Sequence, residues 1–183
     1  MDSLQGHFLI ATPELMDPNF HQTVVYIIRH SDEGAFGVIV NRQSDRKLKE
    51  IWDQLSQTSC RTEALLYFGG PIQGPLLAIH GHAMLLDLEV SPGIYISTAR
   101  DKLEQLVGQS EYPARFVAGY AGWGAGQLEG ELDQSSWFTL AATEELLFAE
   151  SDALWQQLMR KISGEQFLSA LNIKTVPPDP SLN

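Results

Sequence analysis

Two strongly apolar segments joined by a short polar one constrain the fold of this chain more than any other feature. Thr23–Arg29 (TVVYIIR) is nearly continuous in β-branched and aromatic residues, and Ala35–Val40 (AFGVIV) has the same character. Such runs are typical of strands that are buried on both faces. Between them, His30–Gly34 (HSDEG) has the composition of a turn. The pattern predicts a β-hairpin with a loop of about four or five residues.

Helical and extended patterns alternate irregularly along the rest of the chain. One predicted helix has its apolar stripe at Leu48, Ile51, Trp52 and Leu55. Ser44 or Asp45 is the expected N-cap of that helix. Further helices are predicted after Thr98, which is the expected cap there, and near Ser151 or Asp152. Further strands are predicted at Phe8–Ala11, Ala64–Phe68, Leu76–His80, Ile94–Ser97, Arg115–Ala118 and Trp137–Ala141. This order predicts one α+β domain with a mixed sheet over residues 1–175, followed by a loose proline-rich tail at 176–183.

Composition excludes several classes of protein. The chain of 183 residues is 44% hydrophobic and 19% charged, which is typical of a globular rather than a disordered protein. The net charge of −11 argues against direct nucleic-acid binding. A single cysteine, Cys60, excludes an intramolecular disulfide and a cysteine-rich zinc site. Neither a membrane-spanning apolar run nor a secretory leader is recognisable, so we expect a cytoplasmic protein without membrane association.

The most unusual stretch is Gly119–Glu131 (GYAGWGAGQLEGE), which is rich in glycine. Such a density of glycine indicates positive φ angles or a close approach of the backbone to another group. The stretch does not match a phosphate-binding loop, because Glu129 stands where a dinucleotide fingerprint needs its third glycine. No lysine or arginine occurs between Arg115 and Arg160, so phosphate would be repelled. The stretch is therefore either a structural turn or a site for a ligand or partner.

Glu129 and Glu131 invite comparison with paired carboxylates that act as acid and base or bind a cation. They share a face if the segment is extended and diverge if it is helical. The alternatives are a solvated acidic helix start and a tertiary contact, for example with Arg115. His80 and His82 could lie on one side of a strand, as in a transition-metal site, but no further ligand pattern accompanies them. No motif for a catalytic nucleophile is present. We therefore predict no catalytic residue, no metal and no cofactor.

Several motifs follow one another in a characteristic order along nearly the whole chain. They are Leu4–Pro13, Asp17–Phe20, Thr23–Tyr26, His30–Ala35, Gly37–Asn41, Gly69–Pro71 and Gly119–Glu129, followed by Glu131 and Trp137. In this order they resemble the AlgH/YqgE-like family of small bacterial proteins. The resemblance implies a single α+β domain whose bent or bifurcated, partly barrel-like sheet is surrounded by helices. It also implies a candidate role as a transcriptional regulator, and it transfers no catalytic residue.

The family motifs define a candidate surface for a ligand or a partner. Its residues are His30, Asn41, Gly69, Gly70, Pro71, Gly119, Tyr120, Trp123, Gly126, Gln127, Glu129 and Glu131. These residues either turn the chain at the rim of the sheet or form a patch with apolar contacts from the aromatic rings and polar specificity from Gln127 and Glu129.

The sequence favours a non-catalytic protein that binds a protein partner or a cationic or neutral small ligand at this rim. The first alternative is a hydrolase or isomerase that uses Glu129 or Glu131 with His30 or His80. The second alternative is a regulator that binds DNA directly through the basic cluster that begins at Arg42.

Overall fold

The apolar hairpin lies inside one curled sheet. The computed structural model describes residues 2–56, 58, 60, 62–150 and 153–170. Within these residues the ten strands are β1 (His7–Ala11), β2 (Val24–Ser31), β3 (Gly34–Ile39), β4 (Gln43–Lys47), β5 (Leu65–Phe68), β6 (Ile72–His80), β7 (Leu88–Ser91), β8 (Ile94–Ser97), β9 (Ala114–Gly124) and β10 (Trp137–Ala141). The α-helices of the same residues are α1 (Leu48–Leu55), α2 (Arg100–Val107), α3 (Gln127–Asp133), α4 (Glu144–Leu147) and α5 (Leu154–Ala170), and a 3-10 turn spans Ala83–Leu85.

The sheet curls into half a barrel and forks at β9. Its strands follow the order β10-β1-β2-β3-β9-β6-β8-β7, and the β4–β5 ribbon joins β9 through β5. Only the β5–β9 pair is parallel among the described strands, and the other pairs are antiparallel. β3 pairs with the end of β9 from Ala121 to Gly124, whereas β5 pairs with its earlier part from Phe116 to Ala118. The predicted single α+β domain with a bent, bifurcated and mixed sheet is confirmed.

The central hairpin is buried on both faces, as predicted. On one face Val24, Tyr26 and Val38 pack with residues of α4 and α5. On the other face Val25 and Ile27 pack in a separate cluster around the tryptophans of β9 and β10. Alternate residues of a strand point to opposite faces, so this pair of strands separates two cores.

A third apolar cluster lies under α1 and α2. Leu48 and Trp52 of α1 and Leu106 of α2 are almost fully buried, and they pack together with Phe116 of β9. Leu48, Ile51 and Trp52 of the stripe predicted for α1 therefore face the sheet, and α2 covers a neighbouring part of the same surface.

The ends of several elements differ from the prediction. The hairpin turn is shorter than expected, because β2 continues to Ser31 and β3 begins at Gly34. Neither Ser44 nor Asp45 caps α1, since both lie in β4, which pairs with β5. The cap expected from Thr98 is also wrong.

The start of α2 depends instead on a carboxylate that is distant in sequence. Asp87 Oδ2 accepts hydrogen bonds from the backbone amides of Thr98 and Ala99, at 2.6 and 3.0 Å. The strand β7 and the short helix α4 carry no pattern that was recognised in the sequence. Ser151 and Asp152, expected near the start of the last helix, and the tail at 176–183 lie outside the described residues.

Candidate functional site

The glycine-rich stretch is divided between a strand and a helix. Its first part, from Gly119 to Gly124, completes β9 instead of forming a turn. The chain then reverses at Gly126, whose φ of +72° is readily adopted by glycine, and enters α3. Leu128 is completely buried and holds α3 against the sheet. Glu129 and Glu131 therefore lie two positions apart on a helix and point to different surroundings.

Glu129 forms a hydrogen bond with the imidazole of His30 at the end of β2. The distance between His30 Nε2 and Glu129 Oε1 is 2.8 Å. His30 Nδ1 accepts a hydrogen bond from the backbone amide of Leu4 at 2.9 Å. Because Nδ1 is an acceptor, the network assigns the ring proton to Nε2, which donates to Glu129.

The two partners differ strongly in exposure. The His30 side chain is 4% exposed, whereas the Glu129 side chain is 33% exposed. Hydrogen bonds from its own backbone amide and from His30 lower the pKa of Glu129 below its ordinary value. The pair therefore presents an oriented, ionised carboxylate to solvent, and a carboxylate can accept more hydrogen bonds than it receives here.

This carboxylate faces an open cleft of about 510 Å³, which we call the acidic cleft. Its lining residues are Ser3, His30, Ser31, Asp32, Gly126 and Glu129. The lining includes two acidic residues and no lysine or arginine among the described residues. Three of these six residues, Ser3, Ser31 and Asp32, were missed in the sequence. Ser31 and Asp32 adjoin His30 in the chain, which was a usable signal, but Ser3 carries no signal, since its contact with His30 spans 27 positions.

Glu131 belongs to a different group, which we call the indole–carboxylate cluster: Phe20, Trp123, Gln127, Glu131 and Trp137. Oε2 of Glu131 accepts hydrogen bonds from Nε1 of Trp123 and of Trp137, at 2.9 and 2.8 Å. Its Oε1 accepts a hydrogen bond from Gln127 Nε2 at 3.0 Å. Phe20 packs against both indole rings, with centroid distances of 6.0 and 5.5 Å. Trp123 is only 6% exposed, so its ring contributes to the core.

The remaining glycines of the candidate surface form the fork of the sheet. A Cβ atom at Gly69 would lie 2.2 Å from the carbonyl oxygen of Gly119, and one at Gly70 would lie 2.3 Å from the backbone of Tyr120. The amide of Gly69 donates to Ala118, and its carbonyl accepts from Ile39, at 2.8 and 2.7 Å. Only glycine permits this approach of two backbones.

Three other candidates lie away from the acidic cleft. Pro71 is exposed beside the fork, and the Tyr120 ring packs against Phe36 at a centroid distance of 5.0 Å. Asn41 accepts a hydrogen bond from the Val24 amide and donates one to the Gln22 carbonyl, at 2.8 and 3.0 Å. Of the twelve candidate residues, the structure brings His30, Gly126 and Glu129 together in the cleft.

The contacts considered in the sequence for Arg115 and His80 differ from those in the structure. The contact of Arg115 with Glu129 or Glu131, considered as one alternative, is not formed, since the Arg115 guanidinium donates to the carbonyls of Val40 and Ala149. Buried His80 bonds to Ser97 Oγ at 2.9 Å. In the part of the chain that is described, no three His, Cys, Asp or Glu side chains are grouped to hold a metal ion.

Three basic residues of the cluster considered for DNA binding, Arg42, Lys47 and Lys49, form contacts within the protein. Arg42 donates hydrogen bonds to the carbonyls of Asn19 and Pro18, at 2.8 and 3.3 Å. Lys47 pairs with Glu63 at 2.6 Å, and Lys49 pairs with Asp53 at 3.3 Å.

Comparison with known proteins places this architecture in a family. A profile described as AlgH-like matches residues 8–166. A UPF0301 protein of Thiobacillus denitrificans is 42% identical over 153 residues, which cover 80% of this chain and 82% of the relative. A UPF0301 protein of Thermobifida fusca is 37% identical over 195 aligned positions, covering 99% of this chain and 96% of the relative.

Two solved structures share the fold. The solution structure of the AlgH protein from Pseudomonas aeruginosa superposes with a TM-score of 0.75 at 32% identity, covering 97% of both chains. A crystal structure of protein DIP2367 from Corynebacterium diphtheriae superposes with a TM-score of 0.67, covering 85% of both chains. Its identity of 24% supports the fold alone. None of the helices in the described ranges has the length and hydropathy needed to cross a membrane.

Proposed function

The chain belongs to the AlgH-like family, and we propose that it is a non-catalytic binding protein whose acidic cleft takes a cationic group. The observation that carries this proposal is the Glu129 carboxylate, which His30 orients and which remains one-third exposed toward the cleft. A second acid, Asp32, lines the same cleft. Ammonium and guanidinium groups are the natural partners of such a lining, since they donate to carboxylates and gain Coulomb energy from both acids.

The hydrogen bonds around the cleft support binding over acid–base catalysis. His30 Nδ1 is occupied by the Leu4 amide, and Nε2 already donates to Glu129. In this arrangement the ring has no free nitrogen with which to accept a proton from a substrate. Glu131 accepts three hydrogen bonds inside the indole–carboxylate cluster and does not line the cleft. The geometry therefore favours a positioned anion over an acid and base pair.

The test is a titration of the labelled full chain with putrescine, followed by the backbone amide signals in nuclear magnetic resonance. We expect saturable shifts at Ser31, Asp32 and Gly126, and we expect them to weaken with added salt because the attraction is electrostatic. Butanediol, which lacks the charges, should leave these signals unchanged. Glu129→Gln should weaken the binding several-fold, whereas Glu145→Gln, at an exposed acid of α4, should not.

The same variants separate a small ligand from a protein partner. A partner captured from lysate by the wild-type chain should be lost with Glu129→Gln and displaced by putrescine. Binding of putrescine that is equal in the wild type and Glu129→Gln would contradict the proposal, and so would equal shifts with butanediol.

A further inference from the structure

Besides the Glu129 carboxylate, the protein contains a buried charged group on the earlier part of β9. Arg115, near the start of β9, is only 5% exposed. Its Nη1 donates to the carbonyl of Val40, and its Nη2 donates to the carbonyl of Ala149 at 2.7 Å. The centre of the guanidinium lies 4.5 Å from the centroid of the Tyr67 ring. Arg115 thus joins the end of the hairpin to the segment after α4.

The positive charge of Arg115 forms no ion pair among the residues that the structure describes, although the acid Glu150 lines the same cavity. None of their carboxylates lies within ion-pair distance of the guanidinium. Two carbonyls and one aromatic face compensate such a charge only in part, and a buried charge is costly unless it is paired. Burial accordingly lowers the pKa of Arg115 from its ordinary value. A guanidinium has five N–H donors, of which these two bonds use two.

Arg115 lines a cavity of about 330 Å³ whose lining combines polar side chains, such as Gln43 and Tyr67, with apolar ones. Gln43 Nε2 donates to the Tyr67 hydroxyl oxygen at 2.9 Å, and the Tyr67 O–H donates to no partner among the described residues. The walls include Leu65 and Phe148. The volume is at the lower end of the range for small-molecule sites.

We propose that this cavity binds a small monocarboxylate with an apolar body. The carboxylate would lie against Arg115 and the Tyr67 hydroxyl, and the body would pack against Leu65 and Phe148. The exposed acid Glu150 also lines the cavity, and its charge disfavours ligands with two negative charges. The Arg115 cavity and the acidic cleft share no lining residue and have opposite preferences for charge.

The experiment is a titration of the labelled full chain with benzoate and with octanoate, compared with benzamide as the uncharged analogue of benzoate. We expect saturable shifts of the Tyr67, Arg115 and Ala149 amides with the two carboxylates. Benzamide should bind at least about tenfold more weakly, because a charge-assisted hydrogen bond is lost. Putrescine should leave these three signals unchanged, which separates this site from the acidic cleft.

Two variants test the residues that carry the proposal. Arg115→Gln should abolish binding of benzoate, but the substitution also removes a link between two segments. Tyr67→Phe keeps the ring under the guanidinium and removes only the hydroxyl, so it should weaken binding by roughly three- to tenfold. Tyr112→Phe, at an exposed tyrosine outside the cavity, is the matched control and should bind benzoate like the wild type.

Three results would each overturn the proposal in the folded wild-type chain or in folded Tyr67→Phe. The first is the absence of saturable shifts with both carboxylates. The second is binding of benzamide as tight as that of benzoate, and the third is full affinity for benzoate in Tyr67→Phe.

Discussion

The acidic cleft and the indole–carboxylate cluster lie on opposite sides of α3 and use the same functional group differently. In the cleft, Glu129 accepts from one buried imidazole and keeps one-third of its side chain exposed. In the cluster, Glu131 accepts from two indoles and from Gln127. Both carboxylates are partly buried. Glu131 directs its oxygens to donors within the protein, whereas Glu129 keeps hydrogen-bonding capacity toward the cleft.

The difference shows that the side of α3 on which a carboxylate lies determines whether it contributes to stability or to binding. Membership of the glycine-rich motif does not determine this. A buried polar group contributes to stability when its hydrogen-bonding capacity is used within the protein. A binding site needs capacity that is left over and accessible, and Glu129 has it. Substitutions in the cluster should therefore change the free energy of unfolding, whereas Glu129 should govern binding.

The largest effect on the free energy of unfolding is expected from Trp123→Ala, which removes one of the two indole rings of the indole–carboxylate cluster. The ring is 6% exposed and packs against Phe20 and Trp137. Removing it should lower the free energy of unfolding by about 3–5 kcal/mol, as for other buried aromatic residues replaced by alanine. Urea denaturation measures the change. Phe68→Ala is the control, because Phe68 is 52% exposed and its loss should change stability little.

The second effect is a pH dependence that comes from buried His80, which forms no ion pair with a carboxylate among the described residues. His80 bonds to Ser97 Oγ, and burial, aided by neighbouring His82, lowers the pKa of His80 to about 4. The folded-state pKa lies below the ordinary value of 6.5, so protonation favours the unfolded chain. The contribution of His80 is therefore fully present above pH 6.5 and is lost as the pH falls toward 4. From the size of the shift we expect a loss of about 3 kcal/mol across this window.

Comparison of variants isolates this histidine from the acids that also titrate. The free energy of unfolding of His80→Gln should fall less between pH 7 and pH 4 than that of the wild type. His21→Gln, at an exposed histidine, should retain the wild-type slope. Parallel curves for the wild type and His80→Gln would show that buried His80 does not carry the effect.

Local patterns predicted much of the fold but little of the site. The hairpin and the apolar residues of α1 were predictable because each lies within a short segment whose apolar residues follow a single pattern of spacing. No local pattern predicted the fork, which was expected only from the family resemblance, since Gly69 and Gly119 meet only after distant segments pair. The divergence of Glu129 and Glu131 followed once the segment was known to be helical. The composition of the acidic cleft required the fold, because Ser3 and Glu129 lie 27 and 99 positions from His30 in the chain.

The smallest effect on stability, and the sharpest test of the comparison, comes from replacing each carboxylate of α3 by alanine. Glu131→Ala leaves two indole donors without an acceptor in a region where both rings are at least nine-tenths buried. Two unpaired donors should cost about 2 kcal/mol in the free energy of unfolding. Glu129→Ala also frees a buried donor, on His30, but water in the open cleft can replace the lost oxygen. Its cost in urea denaturation should therefore be clearly smaller.

Binding should show the reverse order, which a purely structural role for both residues cannot produce. Glu129→Ala should weaken the binding of putrescine, whereas folded Glu131→Ala should retain it. If the two variants lost stability equally and neither changed binding, the two sides of α3 would be equivalent and the acidic cleft would be an ordinary surface. If Glu131→Ala alone lost stability and Glu129→Ala alone lost affinity, the motif would combine a structural carboxylate and a ligand-binding one within three consecutive residues.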